Sequence, residues 1–392
     1  MRNVDTTLPE RLRAARQSAG VTQQQAAAAL GVSRPLLVAM EKGTRDVRPD
    51  ELVALASLYK RQVSDLLRPQ PPVEAIGAQF RLALTGKAGD ENLHDVINEL
   101  ENLADDFLDL ARRSSIELPR RYPATFELAY GDLALCAEDL ALEERRRLGL
   151  GDGPVQQLRE FLEDEVGVRV FMPVMPSKVA GAIVYAEPLG ACVAVNAHHP
   201  VQRRRWTLAH EYAHFLTRRD RSEITLIENR NNTEERFADL FAANFLMPRS
   251  GLRRRFIELT RERSQGGPTV ADLFQMARIF RVSLQAMTHR LEDLGLIKRG
   301  TYDKLEGNLR PAEAERALGL RPDLERAELL PLRYRYLAVE LFTNGEITEG
   351  QLAAYLRTDR VQARNIARDL TTSNDVTGGG MPEPVRWNEA ES

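Results

Sequence analysis

The residues with the clearest chemistry are two histidines and a glutamate in one mostly apolar stretch, residues 205–216. His210 and His214 are four residues apart, and side chains at positions i and i+4 lie on the same face of a helix. Both imidazoles can therefore bind one metal ion. Glu211 lies about 100° further round the helix axis, where its carboxylate can face a water molecule on that ion. The spacing predicts two metal ligands and a general base on one buried helix.

A third ligand is required, because a catalytic zinc takes three protein ligands and leaves one position for water. The best source is residues 234–248, where phenylalanines recur every four residues as on a helix. Glu235 is followed three and seven positions later by alanines, which let two helices approach closely, so we rank it first. Glu234 is followed there by phenylalanines and ranks second. Asp239, one turn after Glu235, can hold a ligand imidazole in its tautomer, or can be an ordinary exposed carboxylate.

The choice of metal follows from the ligand set. Two histidines and a carboxylate suit zinc, and they also suit manganese or iron. We expect Zn2+, with Mn2+ as the next candidate. The alternative without a metal is a helix with two hydrogen-bonded core histidines and a glutamate on the surface.

Three motifs and their order carry a resemblance to a known family. They are His-Glu-x-x-His at residues 210–214, Glu-x-x-Ala-x-x-Phe-Ala at 235–242 and Leu-Met-Pro at 246–248. Together they resemble the ImmA/IrrE family of metallopeptidases. The resemblance implies a zinc-dependent endopeptidase with Glu211 as general base and with the metal ligands His210, His214 and Glu235. Asp239 stands where an asparagine is common in the family, which leaves the expected chemistry unchanged.

The first 68 residues predict a helical DNA-binding bundle. Thr22 can cap a helix that ends at Leu30, Gly31 can stop it, and Ser33 can cap the next helix. Two short helices joined by such a turn form a helix-turn-helix. The segment has eleven basic and seven acidic residues, a net charge of +4, whereas the whole chain has −3. This charge favours contact with phosphates. The alternative is a helical bundle that contacts only proteins.

This segment resembles the XRE/Cro-type helix-turn-helix family along nearly its whole length. The resemblance rests on Thr-Gln at residue 22, Gly-Val-Ser at 31 and Glu-Lys-Gly at 41. It implies double-stranded operator DNA as a partner and a homodimer, because such domains usually bind pseudo-palindromes. Arg34 would face the major groove, where it can read a guanine. The expected DNA contacts are Gln23, Ser33, Arg34, Pro35, Leu36, Ala39, Lys42 and Arg45.

Periodicity and turn signals divide the whole chain into units. We predict a helix-turn-helix domain at 1–68, a helical connector at 69–150, a metallopeptidase domain at 151–300, a C-terminal helical domain at 301–371 and a disordered tail at 372–392. The predicted fold class is mainly α with a small sheet. A five-helix bundle precedes an α+β zincin-like peptidase domain and a C-terminal helical domain.

Two later segments repeat the helix-turn-helix spacing and leave alternatives open. Residues 269–296 either close the peptidase domain or form a second DNA reader. Residues 345–368 place Arg360, Arg364 and Arg368 on one face of a helix, and either bind DNA or form an oligomerisation bundle.

Two segments near the motif bear on substrate binding. Residues 191–196 alternate like a strand, which could pair with an extended substrate backbone. Residues 218–233 are polar and predict an irregular loop over the site.

Composition limits the functional class. With 392 residues, 43 % hydrophobic and 28 % charged, the chain fits a soluble protein of two or three domains. Its two cysteines, Cys136 and Cys192, are far apart and predict neither a disulfide framework nor a cysteine metal knot. Because no signal peptide or long apolar run is found, we expect a cytoplasmic protein with no membrane partner.

Two functional hypotheses follow. The first is a transcriptional regulator whose endopeptidase cleaves a repressor or antitoxin protein, or itself, and so switches gene expression in a stress or mobile-element response. The second is a DNA-binding regulator that does not cleave, and whose peptidase-like domain senses a metal, a ligand or single-stranded DNA.

Overall fold

The computed structural model describes residues 7–59, 61, 63–67, 91–128, 132–219, 223–226, 233–261, 268–306, 318 and 326–371. The tail at 372–392, predicted to be disordered, lies outside the described residues.

The N-terminal bundle has the five helices predicted for it within the described residues. They are α1 Leu8–Ser18, α2 Gln23–Ala29, α3 Arg34–Glu41, α4 Pro49–Leu58 and α5 Val63–Leu67. The Thr22 hydroxyl accepts a hydrogen bond from the Gln25 amide, which caps α2. Gly31 has φ 64° at the turn into α3, a conformation that favours glycine. A buried ion pair of Arg16 with Glu41, 2.5 Å long, ties α1 to α3.

Further helices build the remainder of the described chain. They are α6 Glu91–Arg113, α7 Leu133–Arg147, α8 Leu158–Phe161, α9 Val201–Thr217, α10 Thr233–Leu246, α11 Arg249–Arg261, α12 Val270–Phe280, α13 Leu284–Asp293, α14 Thr301–Glu306, α15 Leu332–Thr343, α16 Glu349–Tyr355 and α17 Arg360–Thr371. A single π-helical turn, Leu162–Val166, continues α8. No described helix is long and apolar enough to cross a membrane.

The sheet has four strands in the order β1-β3-β2-β4. The strands are β1 Arg169–Phe171, β2 Val179–Ala186, β3 Gly190–Val195 and β4 Glu223–Leu226. β3 runs parallel to β1 and antiparallel to β2, and β2 runs antiparallel to β4. The predicted fold class, mainly α with a small sheet, is confirmed.

Strand order corrects two expectations about substrate binding. The run at 191–196 was expected to pair with a substrate backbone, but β3 is hydrogen-bonded to β1 on one edge and to β2 on the other. The expectation was wrong because alternation identifies a strand and not its place in a sheet. The predicted irregular loop at 218–233 contains β4, which is paired with β2 through backbone hydrogen bonds. The prediction missed this strand because the short alternating run Glu-Ile-Thr-Leu lies within an otherwise polar segment. Residues 220–222 and 227–232 of that loop lie outside the described part.

The two faces of the sheet contact different helical layers, because successive side chains of a strand point to opposite faces. Val193 and Val195 of β3 pack into a core shared with α7, α9 and α10. Cys192 and Ala194 pack into a second core, shared with α6 and with α15 to α17. The sheet therefore lies between two helical layers, and α6 packs with the C-terminal helices while α7 packs with the peptidase core.

The two later helix-turn-helix patterns have different surroundings. In α13, Met287 and Leu291 are buried in the core of α9, and the Arg290 guanidinium donates to Asn244 Oδ1 at 2.5 Å. This packing favours the interpretation that the element closes the peptidase domain. In α17, Ala363 and Ala367 are buried in the second core, while its three arginines are exposed.

Candidate metal centre

Two buried helices position the candidate ligands. α9 carries His210 and His214 one turn apart, and α10 carries Glu235 near its start. The residues are 5 %, 4 % and 7 % exposed, respectively. Aromatic side chains of both helices pack together beneath the site; Tyr212, for example, lies 6.3 Å from Phe241 between ring centroids. The ligand side chains are therefore held by packing as well as by their own hydrogen bonds.

The three predicted ligands meet at one point. His210 Nε2 lies 3.1 Å from His214 Nε2 and 3.2 Å from Glu235 Oε2, and His214 Nε2 lies 3.2 Å from Glu235 Oε1. Zinc ligands at about 2.0–2.1 Å and tetrahedral angles lie about 3.3–3.4 Å apart. The triangle of donors therefore fits a zinc-sized cation at its open side. These residues also form the one group of metal-ligating side chains found within the described residues.

The structure separates the two glutamates that sequence reasoning ranked. Glu235 faces both imidazoles, whereas Glu234 forms an ion pair with Arg218. The alanines that follow Glu235, Ala238 and Ala242, are both buried in the core. The small side chains on this side of α10 therefore lie in the core where α10 packs closely against α9, as the sequence predicted.

Asp239 lies where it can orient a ligand. Its Oδ1 lies 3.0 Å from His210 Nδ1, which leaves Nε2 directed at the ligand triangle. The same oxygen accepts a hydrogen bond from the indole Nε1 of Trp206 at 3.1 Å. Sequence reasoning singled out Asp239 but not Trp206. The available signal was that Trp206 precedes His210 by four residues and so shares its helix face.

The expected general base, Glu211, lies between α9 and the sheet. It is 0 % exposed, and a Cβ atom placed on Gly181 of β2 would lie 3.2 Å from its Oε1 and 2.5 Å from Thr207 Cγ2. Only glycine gives the strand room to approach the helix so closely. Sequence reasoning did not find this contact, because it depends on how the helix packs against the sheet.

Charge at the site favours a cation. Burial alone would lower the pKa of His210, but hydrogen bonds to Asp239 and Glu235 and the nearby charge of Glu211 raise it to about 10. Burial would raise the pKa of Glu235, but the hydrogen bonds of His210 and His214 lower it to about 2. Three carboxylates thus surround two imidazoles. A dication bound to the imidazole nitrogens would replace the proton that these carboxylates otherwise stabilise.

The expected DNA contacts lie on the surface of the N-terminal bundle, and their roles stay predictions. Ser33, Arg34, Pro35 and Leu36 are exposed around the start of α3, as is Lys42 after its end, while Ala39 is half-buried. Gln23 accepts a hydrogen bond from Arg34 at 3.3 Å and donates one to Glu41 at 3.0 Å. Arg45 is bound to Glu51 at 2.8 Å, so a phosphate there would have to share its guanidinium.

Comparison with known families assigns both regions. The Helix-turn-helix domain family matches residues 8–68, which hold α1 to α5. The IrrE N-terminal-like domain family matches residues 163–292, from the π-helical turn to α13. No match to a curated protein was found. The resemblance inferred from the motifs is confirmed: the chain joins a helix-turn-helix DNA-binding domain to an IrrE-like, metallopeptidase-like domain.

Proposed function

We propose that the protein is a DNA-binding regulator whose IrrE-like domain is an active zinc-dependent endopeptidase. The observation that carries the proposal is the convergence of His210, His214 and Glu235 within 3.2 Å of one another, with Glu211 on the same helix. A site that only bound a metal would need the three ligands but no general base.

Each residue then has a defined role. His210, His214 and Glu235 hold the metal, with Zn2+ preferred and Mn2+ as the alternative. The bound metal would polarise the substrate carbonyl and make water a stronger nucleophile. Glu211 takes a proton from the attacking water and passes it to the leaving amine. Asp239 keeps the Nδ1 proton of His210 and so fixes its tautomer.

The proposed substrate is a repressor or antitoxin protein, or the protein's own helix-turn-helix domain, cleaved in a stress or mobile-element response. Fusion to a DNA-binding domain supports this class, because it brings the peptidase to proteins on DNA. β4 is the terminal strand of the sheet beside β2, so its outer edge is the better place for an extended substrate to pair. A cytoplasmic homodimer would present two copies of α3 to the two halves of an operator.

The decisive experiment compares wild type with Glu211→Gln in cells and profiles newly formed protein N-termini. We expect wild type to generate new N-termini in a repressor or antitoxin, and Glu211→Gln to lower the cleavage rate by about 10²–10⁴ while still binding metal. Glu234→Gln, which changes the neighbouring carboxylate that pairs with Arg218, is the matched control and should cleave normally. Equal cleavage by the Glu211→Gln variant would exclude the proposed catalytic role.

The complete burial of Glu211 favours a second candidate, a regulator that senses a metal, a ligand or single-stranded DNA without cleaving. In that case operator affinity changes when zinc or a single-stranded oligonucleotide is added, and Glu211→Gln responds like wild type. Operator binding measured with and without each ligand separates this candidate from the first.

A further inference from the structure

Five side chains alternate between α9 and α10 and form one continuous chain of polar contacts. In order along it they are His214, Glu235, His210, Asp239 and Trp206, and the contacts measure 3.2, 3.2, 3.0 and 3.1 Å. The members on each helix are spaced by four residues. An early residue of one helix meets a late residue of the other, so the helices run in opposite directions. Trp206 is the end of this chain and lies outside the ligand triangle.

The indole of Trp206 indicates which ring nitrogen of His210 carries the proton, which the histidine contacts alone leave undecided. Trp206 Nε1 can only donate, so Asp239 Oδ1 must accept in that bond. The same oxygen lies 3.0 Å from His210 Nδ1, and an acceptor there selects the tautomer with a proton on Nδ1. Nε2 of that tautomer carries the lone pair that a metal needs. Trp206 and His210 therefore both donate to Asp239 Oδ1, and His210 Nε2 remains free of a proton to bind the metal.

Asp239 needs such a restraint because it is less enclosed than the ligands. Its side chain is 37 % exposed, whereas that of His210 is 6 % exposed. A carboxylate at the edge of the site can turn towards water, and it would then release the imidazole. The half-buried Trp206 packs against the same core as α9, so its indole N–H is itself held in place.

We propose that Trp206 is a positioning residue which, acting through Asp239, holds His210 in the orientation and tautomer that bind the metal. The inference rests on the proposed metal site and adds to it a residue outside the family motif. Phenylalanine at position 206 would keep the aromatic packing and remove only the N–H donor, so the role can be separated from packing.

The test is a zinc-binding titration of the full chain against a competing chelator. Its variants are Trp206→Phe, Asp239→Ala and the double variant. Loss of an outer-shell partner typically weakens metal binding about 10–100-fold, and we expect that range for Asp239→Ala. Trp206→Phe should raise the Kd for zinc about threefold to tenfold, less than loss of the direct partner. In the Asp239→Ala background it should have no further effect, because the indole then has no carboxylate to restrain.

Tyr212→Phe is the matched control. It also removes one donor from an aromatic residue of α9, but its hydroxyl bonds Glu144 and not the site. It should leave the Kd for zinc unchanged, and thermal unfolding of the metal-free variants checks that each is folded. An unchanged Kd in Trp206→Phe would overturn the inference. So would an equal effect with and without Asp239, which would assign Trp206 to packing alone. Wild type that takes up no zinc would instead overturn the proposed metal site.

Discussion

The candidate metal centre and the predicted DNA-binding surface are both built on paired helices, but only the first has its functional groups already in contact with one another. At the metal centre the candidate groups are nearly inaccessible, and they contact one another across α9 and α10. On the N-terminal bundle, Ser33, Arg34 and Pro35 project into solvent at the start of α3. The first arrangement is organised before any ligand arrives. On the second, side chains such as Arg34 bond neighbours on the same surface, and the contacts to DNA form only when DNA binds.

The difference reflects the size of the two ligands. A metal ion is held by atoms about 2 Å away, so every donor must converge and its neighbours must hold it there. DNA is wide and rigid, and it is recognised by side chains that reach into a groove from an exposed helix. Substitutions at the candidate metal centre should therefore cause large losses of metal binding and cleavage. Substitutions on α3 should cause smaller losses of DNA affinity that differ from residue to residue.

The largest effect is expected for His214→Ala. It removes one of three converging donors, so wild type should hold about one metal per chain and the variant should bind zinc more than about 100-fold more weakly, beyond the range for outer-shell changes. Metal analysis and chelator competition measure both quantities. His289→Ala changes a histidine exposed on α13 and should keep the metal. Full metal content in His214→Ala would show that the convergence of the three residues is not a binding site.

The next effect is expected for Gly181→Ala. The added methyl group would meet Thr207 and the carboxylate of Glu211, and overpacking of this kind costs about 1–3 kcal/mol. Chemical denaturation should show that loss of stability, and peptide cleavage should fall because Glu211 is displaced. Gly153→Ala is the control, since a Cβ there meets no atom within 4 Å. A Gly181→Ala variant as stable as wild type would contradict the close packing of strand and helix.

On the predicted DNA-binding surface, Arg34→Ala and Lys42→Ala should weaken DNA binding in different ways. Arg34→Ala should cost about 1–3 kcal/mol on the operator and relax the preference at one base pair. Lys42 is expected, by the family resemblance, to contact the DNA backbone, so Lys42→Ala should weaken binding to all sequences alike and reduce the salt slope of log K by about 1. Binding to operator and scrambled duplexes over a range of salt concentrations measures both. Uniform weakening by Arg34→Ala would make it a phosphate contact.

The smallest effect concerns acid and Glu51. A side-chain hydrogen bond from Arg45 holds the pKa of this buried carboxylate below its ordinary value of 4.5. Its charge therefore stabilises the fold above about pH 4.5, and that contribution is lost as the pH falls through the lowered pKa. The melting temperature of wild type should exceed that of Glu51→Gln at pH 7, and the gap should close in acid. The exposed Asp50 provides the control: Asp50→Asn removes only a surface ion pair with Arg48, so at pH 7 it should lower the melting temperature less than Glu51→Gln does.

The sequence predicted the parts of the site that spacing alone determines. Helix geometry forces His210 and His214 onto one face, and the alanines after Glu235 distinguished it from Glu234. The contact of Trp206 with Asp239 depends on the register between two helices, and that of Glu211 with Gly181 on the fit of a helix to a sheet. Neither can be read from one segment.

Two turns of nearly the same sequence show the same limit of prediction for the fold. A residue with positive φ followed by Val-Ser joins the helices at Gly31 and again at Arg281. The helix after the first turn exposes Arg34, whereas the helix after the second buries Arg290 against Asn244. Local turn chemistry predicted both helix pairs. Which face of each pair meets solvent depended on neighbours that are distant in the chain.

The two-sided burial of the sheet has a consequence for dissecting this protein. A fragment limited to the matched residues 163–292 would lack α6 and α15 to α17, and Cys192 and Ala194 would lose the core that covers them. Such a fragment would carry a water-exposed apolar sheet surface, which is prone to self-association. The matched family domain is thus smaller than the set of elements that buries both faces of the sheet. The segments on both sides of the match supply the helices that cover the second face of the sheet.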